Sequence, residues 1–228
     1  MKPNGLKNKT RENHKIDGLS PDANKLRGHS EIINVETLTK NIDLAWETTR
    51  TPAEFRSKLL AIFRTTLSEG SNFIQDRFLL NNDGAEAVLA QAYLMDSLIK
   101  AALETVDTKL YRAPNPTRGE QLCIIAVGGY GRGELAPFSD IDLLFLLPYK
   151  QTPRVEQVVE TILYLLWDMK LKVGHSTRSI DECMRQAKAD MTVRTAILES
   201  RYICGEISLM EQMIARFREE IILSLIHI

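Results

Sequence analysis

AVGGYGRGELAPFSDIDLLFLL, residues 126–147, places four glycines in six positions and then sets two aspartates, one residue apart, against an apolar run. The glycines, Gly128, Gly129, Gly131 and Gly133, follow LCIIAV (122–127), a short apolar stretch bounded by glycine that reads as a buried strand. A turn without Cβ atoms brings backbone N–H groups close to an anion. Arg132 adds a fixed positive charge to the same turn. Two familiar phosphate motifs are excluded. Arg132-Gly133-Glu134 lacks the Lys-Ser/Thr of a P-loop, and Gly129, Gly131 and Gly133 miss the last spacing of the dinucleotide fingerprint. A crossover helix also does not fit between Val127 and Ile141, with Pro137 in its path.

The aspartates open a second predicted strand, DIDLLFLL (140–147). Residues i and i+2 of a strand share a face and lie about 6.5–7 Å apart along it. Asp140 and Asp142 therefore point one way while Ile141 and Leu143 point the other. Two ionised carboxylates beside a core repel each other and lose hydration. A divalent cation removes that cost. Mg²⁺, with Mn²⁺ as an alternative, takes oxygen ligands and shares itself with substrate phosphates. Metal ions held in this way serve in-line phosphoryl or nucleotidyl transfer. Each feature alone has an ordinary explanation, a tight turn or a solvated strand edge. Together they predict a nucleotide site, with the glycine turn at the phosphates and the acids at the metal.

Working outward, TPAE (51–54) offers Thr51 as N-cap and Pro52 at the first helical position. Phe55, Leu59, Ile62, Phe63 and Leu67 follow at helical spacing, with Gly70 as a weak point. After the turn at 81–84, Val88, Ala92, Met95, Ile99, Ala102 and Val106 mark a second helix, so the two form a helical hairpin. A proline-marked connector, 113–120, leads to the first strand. Downstream, Val155 to Leu166 form a helical stripe, KLKVGHSTRSI (170–180) reads as a third strand, and Ser179 with Glu182 caps another helix. Further helix is expected over 190–199 and from about residue 206. The expected organisation is a disordered segment at 1–30, a helical part at 31–112, a core at 113–206 and a shortened C-terminal helix at 207–228 ending in a foreign tail, LSLIHI.

Composition excludes several classes. A net charge of −1 does not suit general nucleic-acid binding. No apolar run spans a bilayer. The N-terminus is polar where a signal peptide needs an apolar stretch. Cys123, Cys183 and Cys204 have no metal-site spacing and read as buried reduced thiols, which points to the cytoplasm.

Strand, Gly-Gly, spacer and Asp-x-Asp entering a strand resemble the DNA polymerase β-like nucleotidyltransferases. Within that superfamily, GGYGRGELAPFSDIDLL is similar to the bacterial PII uridylyltransferase/uridylyl-removing family, as are LLWDMKLKVGHSTRSIDEC and DMTVRTAILESRYICG. The resemblance implies an α+β polymerase β-like fold, a small mixed sheet flanked by helices and preceded by the helical hairpin. It also implies Mg²⁺-dependent transfer of UMP from UTP to a tyrosine of the PII signal protein, with neither nucleic acid nor membrane as partner. Carried over by residue, Gly128 and Gly129 meet the triphosphate, Asp140 and Asp142 hold metal, and Ser139 contacts phosphate. Arg132 is added on charge grounds. His175 and Arg178 are further candidates, each with a structural alternative: a hydrogen-bonded strand-end histidine, and an ion pair. Adenylyl transfer to a protein, or nucleotide binding without turnover, are the competing readings.

Three departures stand out. The third strand carries no carboxylate to complete the metal set, and Asp168, Asp190 and Glu199 remain alternatives. None of the four histidines precedes an aspartate, so the metal site for uridylyl removal is not expected. The chain is also too short for the family's ligand-sensing ACT domains.

Overall fold

The computed structural model describes residues 29–115 and 117–222. The expectations for residues 1–28 and for the last six residues lie outside that range. His29 and Ser30, assigned above to a disordered segment, open a short helix, α1 (His29–Ile32). Then follow α2 (Val35–Thr48), α3 (Pro52–Asn81) and α4 (Gly84–Thr105), which ends in a π-helical turn, Val106–Leu110.

The rest alternates strand and helix: β1 (Cys123–Ala126), α5 (Gly128–Gly131), β2 (Ile141–Leu147), α6 (Pro153–Asp168), β3 (Val173–Ser179), α7 (Ile180–Ala189), α8 (Met191–Leu198), β4 (Arg201–Gly205) and α9 (Ile207–Phe217). The strands form one mixed sheet in the order β3-β2-β1-β4. β1 lies antiparallel to β2 and β4, while β2 and β3 are parallel. A short link suffices between antiparallel neighbours, whereas the parallel pair needs the crossover that α6 provides.

Strand parity divides the core. Ile124, Ala126, Ile141, Leu143, Phe145 and Leu147 face the helical hairpin and α6, packing with Phe55, Phe63, Leu98 and Ile162. Cys123, Ile125, Leu144 and Leu146 face the other way, toward Cys183, Met184, Leu209, Met213 and Phe217 of α7 and α9. All of these are buried, which makes β1 and β2 apolar on both faces. Cys123 and Cys183 are buried free thiols, pushed by burial up to about 12 and about 11.

The weak point expected at Gly70 is not a break. α3 runs unbroken through it, and glycine is needed there because a Cβ would lie 2.8 Å from the Ile32 carbonyl oxygen and from Leu94. The glycine's cost in a helix, about 1 kcal/mol, is offset by the close approach of α1 and α4. α2 falls within the helical part expected at 31–112 but has no bounds there, and β4 has no counterpart in the sequence reading. α2 buries only Leu38, Ile42 and Ala45, a thin stripe. β4 opens on a charged residue, Arg201, that is nonetheless buried. Trp167 is 40% exposed and rests edge-on against Tyr164.

Arg201 explains how the hairpin is joined to the sheet. Its Nη1 donates to Asp96 Oδ2 at 2.6 Å and its Nη2 to Oδ1 at 3.1 Å. The Tyr130 hydroxyl donates to the same Oδ1 at 2.6 Å, and Arg201 Nη2 also reaches the Tyr130 carbonyl at 3.3 Å. All three residues are buried. Burial opposes the Arg201 charge, but its bonds to Asp96 outweigh that and hold the guanidinium protonated. Burial first, then the Asp96 charge, pushes the Tyr130 hydroxyl well above its usual range.

Removing one member leaves an uncompensated buried charge. Asp96→Ala is expected to cost about 3–5 kcal/mol in urea unfolding. The double variant Asp96→Leu/Arg201→Met should recover part of that loss, since neither charge is then stranded.

Candidate active site

The glycine stretch forms a single helical turn between β1 and β2. Val127 caps α5 in an extended conformation, and its N–H donates to the Asp142 carbonyl at 3.0 Å. Gly128 adopts a φ of +60°, where a side chain is strained. The first bond of the turn runs from Gly131 N–H to Val127 O at 3.1 Å. The N–H groups of Gly128, Gly129 and Tyr130 precede it and have no intrahelical acceptor. Tyr130, locked to Asp96 and Arg201, fixes the far end of the turn.

Asp142 lies beneath this turn: a Cβ on Gly128 would stand 3.2 Å from its Oδ2. Its carboxyl is raised above the usual range, first by burial and then by the charge of Asp140. Asp140 stands exposed just before β2. Among the described residues neither carboxylate accepts a hydrogen bond or pairs with a cation. A cleft of about 350 Å³ opens here, lined by Gly128, Asp142, Gly174, Ser176 and Arg178, and by Thr192, Val193 and Ala196 of α8. A larger cleft between α3 and α6, about 640 Å³, has no part in it, since neither acid nor any glycine lines that one.

The donor set fits a shared metal and not a self-sufficient one. No group of three potential ligands occurs among the described residues. Asp190 caps α8 by accepting from Thr192 N–H at 2.7 Å, and Glu199 pairs with Arg132 at 3.0 Å. The Asp168 carbonyl accepts from Arg64 at 2.6 Å at the end of α6. None of the three alternatives joins the acid pair. Two carboxylates with no other partner suit Mg²⁺ or Mn²⁺ that takes its remaining oxygens from phosphates and water.

The other candidates separate. Arg178 pairs with Leu146 in the parallel register, on the face of Asp142, and lines the cleft. His175 pairs with Leu143, on the opposite face, and its ring packs edge-on against Trp167 at 5.7 Å. Although the residue borders the cleft, strand parity turns its side chain away from Asp142. Arg132 is half-exposed and ion-paired with Glu199. Ser139 lies in the exposed loop before β2, its N–H donating to Ala136 O at 3.1 Å.

Asp96, Tyr130 and Gly174 escaped the sequence reading as site residues. The available signal was Asp96, a lone acid within the apolar run of α4.

Residues 117–203 match the family model described as the nucleotidyltransferase domain, and so form a nucleotidyltransferase domain. Three curated relatives are each named bifunctional uridylyltransferase/uridylyl-removing enzyme. That of Azospirillum brasilense is 52% identical over 169 residues, 74% of this chain and 18% of the relative. That of Rhodospirillum rubrum is 46% identical over 194 residues, 85% of this chain and 21% of the relative. That of Rhodopseudomonas palustris is 45% identical over 179 residues, covering 78% and 19%. The chain thus spans about a fifth of the length of these relatives.

The raised Asp142 carboxyl has a consequence for stability. The folded state holds this proton more tightly than the unfolded chain, so the group's contribution is fully present below the unfolded value and is lost as pH rises through the raised one. Asp142→Asn is therefore expected to raise the melting temperature at pH 7, on the order of 1–3 °C for a domain of this size. The gain should vanish below about pH 4, where the unfolded carboxyl is itself protonated.

Proposed function

We propose that this chain, with its nucleotidyltransferase domain at residues 117–203, transfers UMP from UTP to a tyrosine hydroxyl of a PII signal protein in the bacterial cytoplasm. The observation that carries the reading is the placing of Gly128 directly over Asp142 at the mouth of one cleft. The uridylyl choice is supported by the relatives' names. Among the described residues no helix is long and apolar enough to cross a membrane.

In this reading Gly128 and Gly129 present N–H groups to the triphosphate, and Asp140 and Asp142 hold Mg²⁺. When bound, Mg²⁺ neutralises charge on the phosphates. Ser139, in the loop before Asp140, and Arg178, which lines the cleft, would contact phosphate, and Arg132 would exchange Glu199 for phosphate oxygens. The tyrosine oxygen attacks the α-phosphorus and the bond to the bridging oxygen breaks. Pyrophosphate leaves with that electron pair, and the hydroxyl proton passes to solvent. Positioning and charge stabilisation account for such a step without a protein nucleophile.

The test is label transfer from UTP carrying radioactive α-phosphate to a PII protein in Mg²⁺. Asp142→Ala is expected to lower the rate by at least about 10²-fold, the scale on which lost charge stabilisation is felt, with the fold retained by circular dichroism. Undiminished transfer in that variant would refute the site, and label taken only from ATP would refute the uridylyl assignment.

A further inference from the structure

Gly174 stands beside Asp142 in the parallel register of β3 and β2. A Cβ on Gly174 would lie 2.3 Å from Asp142 Oδ1, far inside any tolerable contact, while one on Gly128 would lie 3.2 Å from Oδ2. The two glycines thus flank the two oxygens of one carboxylate. Gly128 needs glycine for its positive φ as well, but Gly174 has no positive φ, so what it supplies is room. Glycine weakens a strand interior and marks a place where another group comes close to the backbone. β3 is an edge strand, paired only with β2. Nothing but the Asp142 carboxylate comes within 4 Å of the built Cβ.

We propose that Gly174 is a positioning residue, which with Gly128 forms a slot that fixes the side chain of Asp142. This rests on the reading of Asp140 and Asp142 as the metal-holding pair. Any side chain at 174 drives the carboxylate out of the slot or pushes β3 away from β2. Either movement stops the two acids from converging on one ion. The lack of any hydrogen-bond partner for the Asp142 carboxylate among the described residues makes the slot the feature that sets its orientation.

The test is a double-mutant cycle read by two measurements: Mn²⁺ binding in the presence of UTP, by electron paramagnetic resonance, and thermal unfolding without metal. Gly174→Ala is expected to weaken Mn²⁺ binding at least tenfold and to lower the melting temperature. In an Asp142→Ala background the same substitution should change neither, because the clashing carboxylate is gone and the effects act through one group. Gly119→Ala, whose Cβ would meet nothing closer than 3.7 Å, serves as the control and should behave as wild type. Equal loss of stability from Gly174→Ala in both backgrounds, or unchanged Mn²⁺ binding while Asp142→Ala abolishes it, would overturn the proposal. If Asp142→Ala itself leaves Mn²⁺ binding intact, the metal reading fails instead. The stability cycle then still decides whether the slot exists.

Discussion

The carboxylate of Asp96 holds together three segments far apart in the chain. It receives the Tyr130 hydroxyl from the glycine turn and two guanidinium bonds from Arg201 at the start of β4. The helical hairpin, the candidate phosphate turn and the edge strand β4 therefore share one buried polar centre. Such a centre adds little net stability over an apolar core of the same shape, but it tolerates no partial loss. Its geometry is nearly complete: Arg201 Nε is the one guanidinium nitrogen left without a partner. A one-turn helix with three glycines has little of its own to hold it. Tyr130, anchored through Asp96 and Arg201, supplies that rigidity.

The site grows from the way the sheet is divided. Odd-numbered residues of β2 enter the core under the hairpin, and Leu144 and Leu146 enter the core under α7 and α9. Asp142 belongs to the second series but lies at the end of the strand, where the helices no longer cover it. It is half-buried, close enough to the core to lose hydration and open enough to meet a ligand. The turn above it and Gly174 beside it complete the surroundings. A charged group so placed, next to a second acid, is held in an unfavourable state that a cation relieves.

Helical spacing made α3, α4 and α6 legible, and a capping pair, Ser179 with Glu182, announced α7. α2, expected only as part of a helical region, and β4, not expected, carried weak signals. α2 turns a thin apolar stripe inward, and Arg201 made β4 look unlike a buried strand because its charge is met by a residue 105 positions away. At the site, the closeness of the glycine turn to Asp142 was legible because their spacing is local. Which way His175 faces was not legible, because parity relative to β2 depends on a parallel register that no local pattern states.

The amino-acid sequence by itself determined the periodic elements and the bare backbone before Asp142, since each depends on neighbours within a few positions. Only the tertiary structure decided which residues meet: Asp96 with Arg201, Gly174 with Asp142, His175 with Trp167. Those meetings follow from strand register and from helix packing across the sheet, which pair residues according to three-dimensional closeness and leave no trace in local spacing.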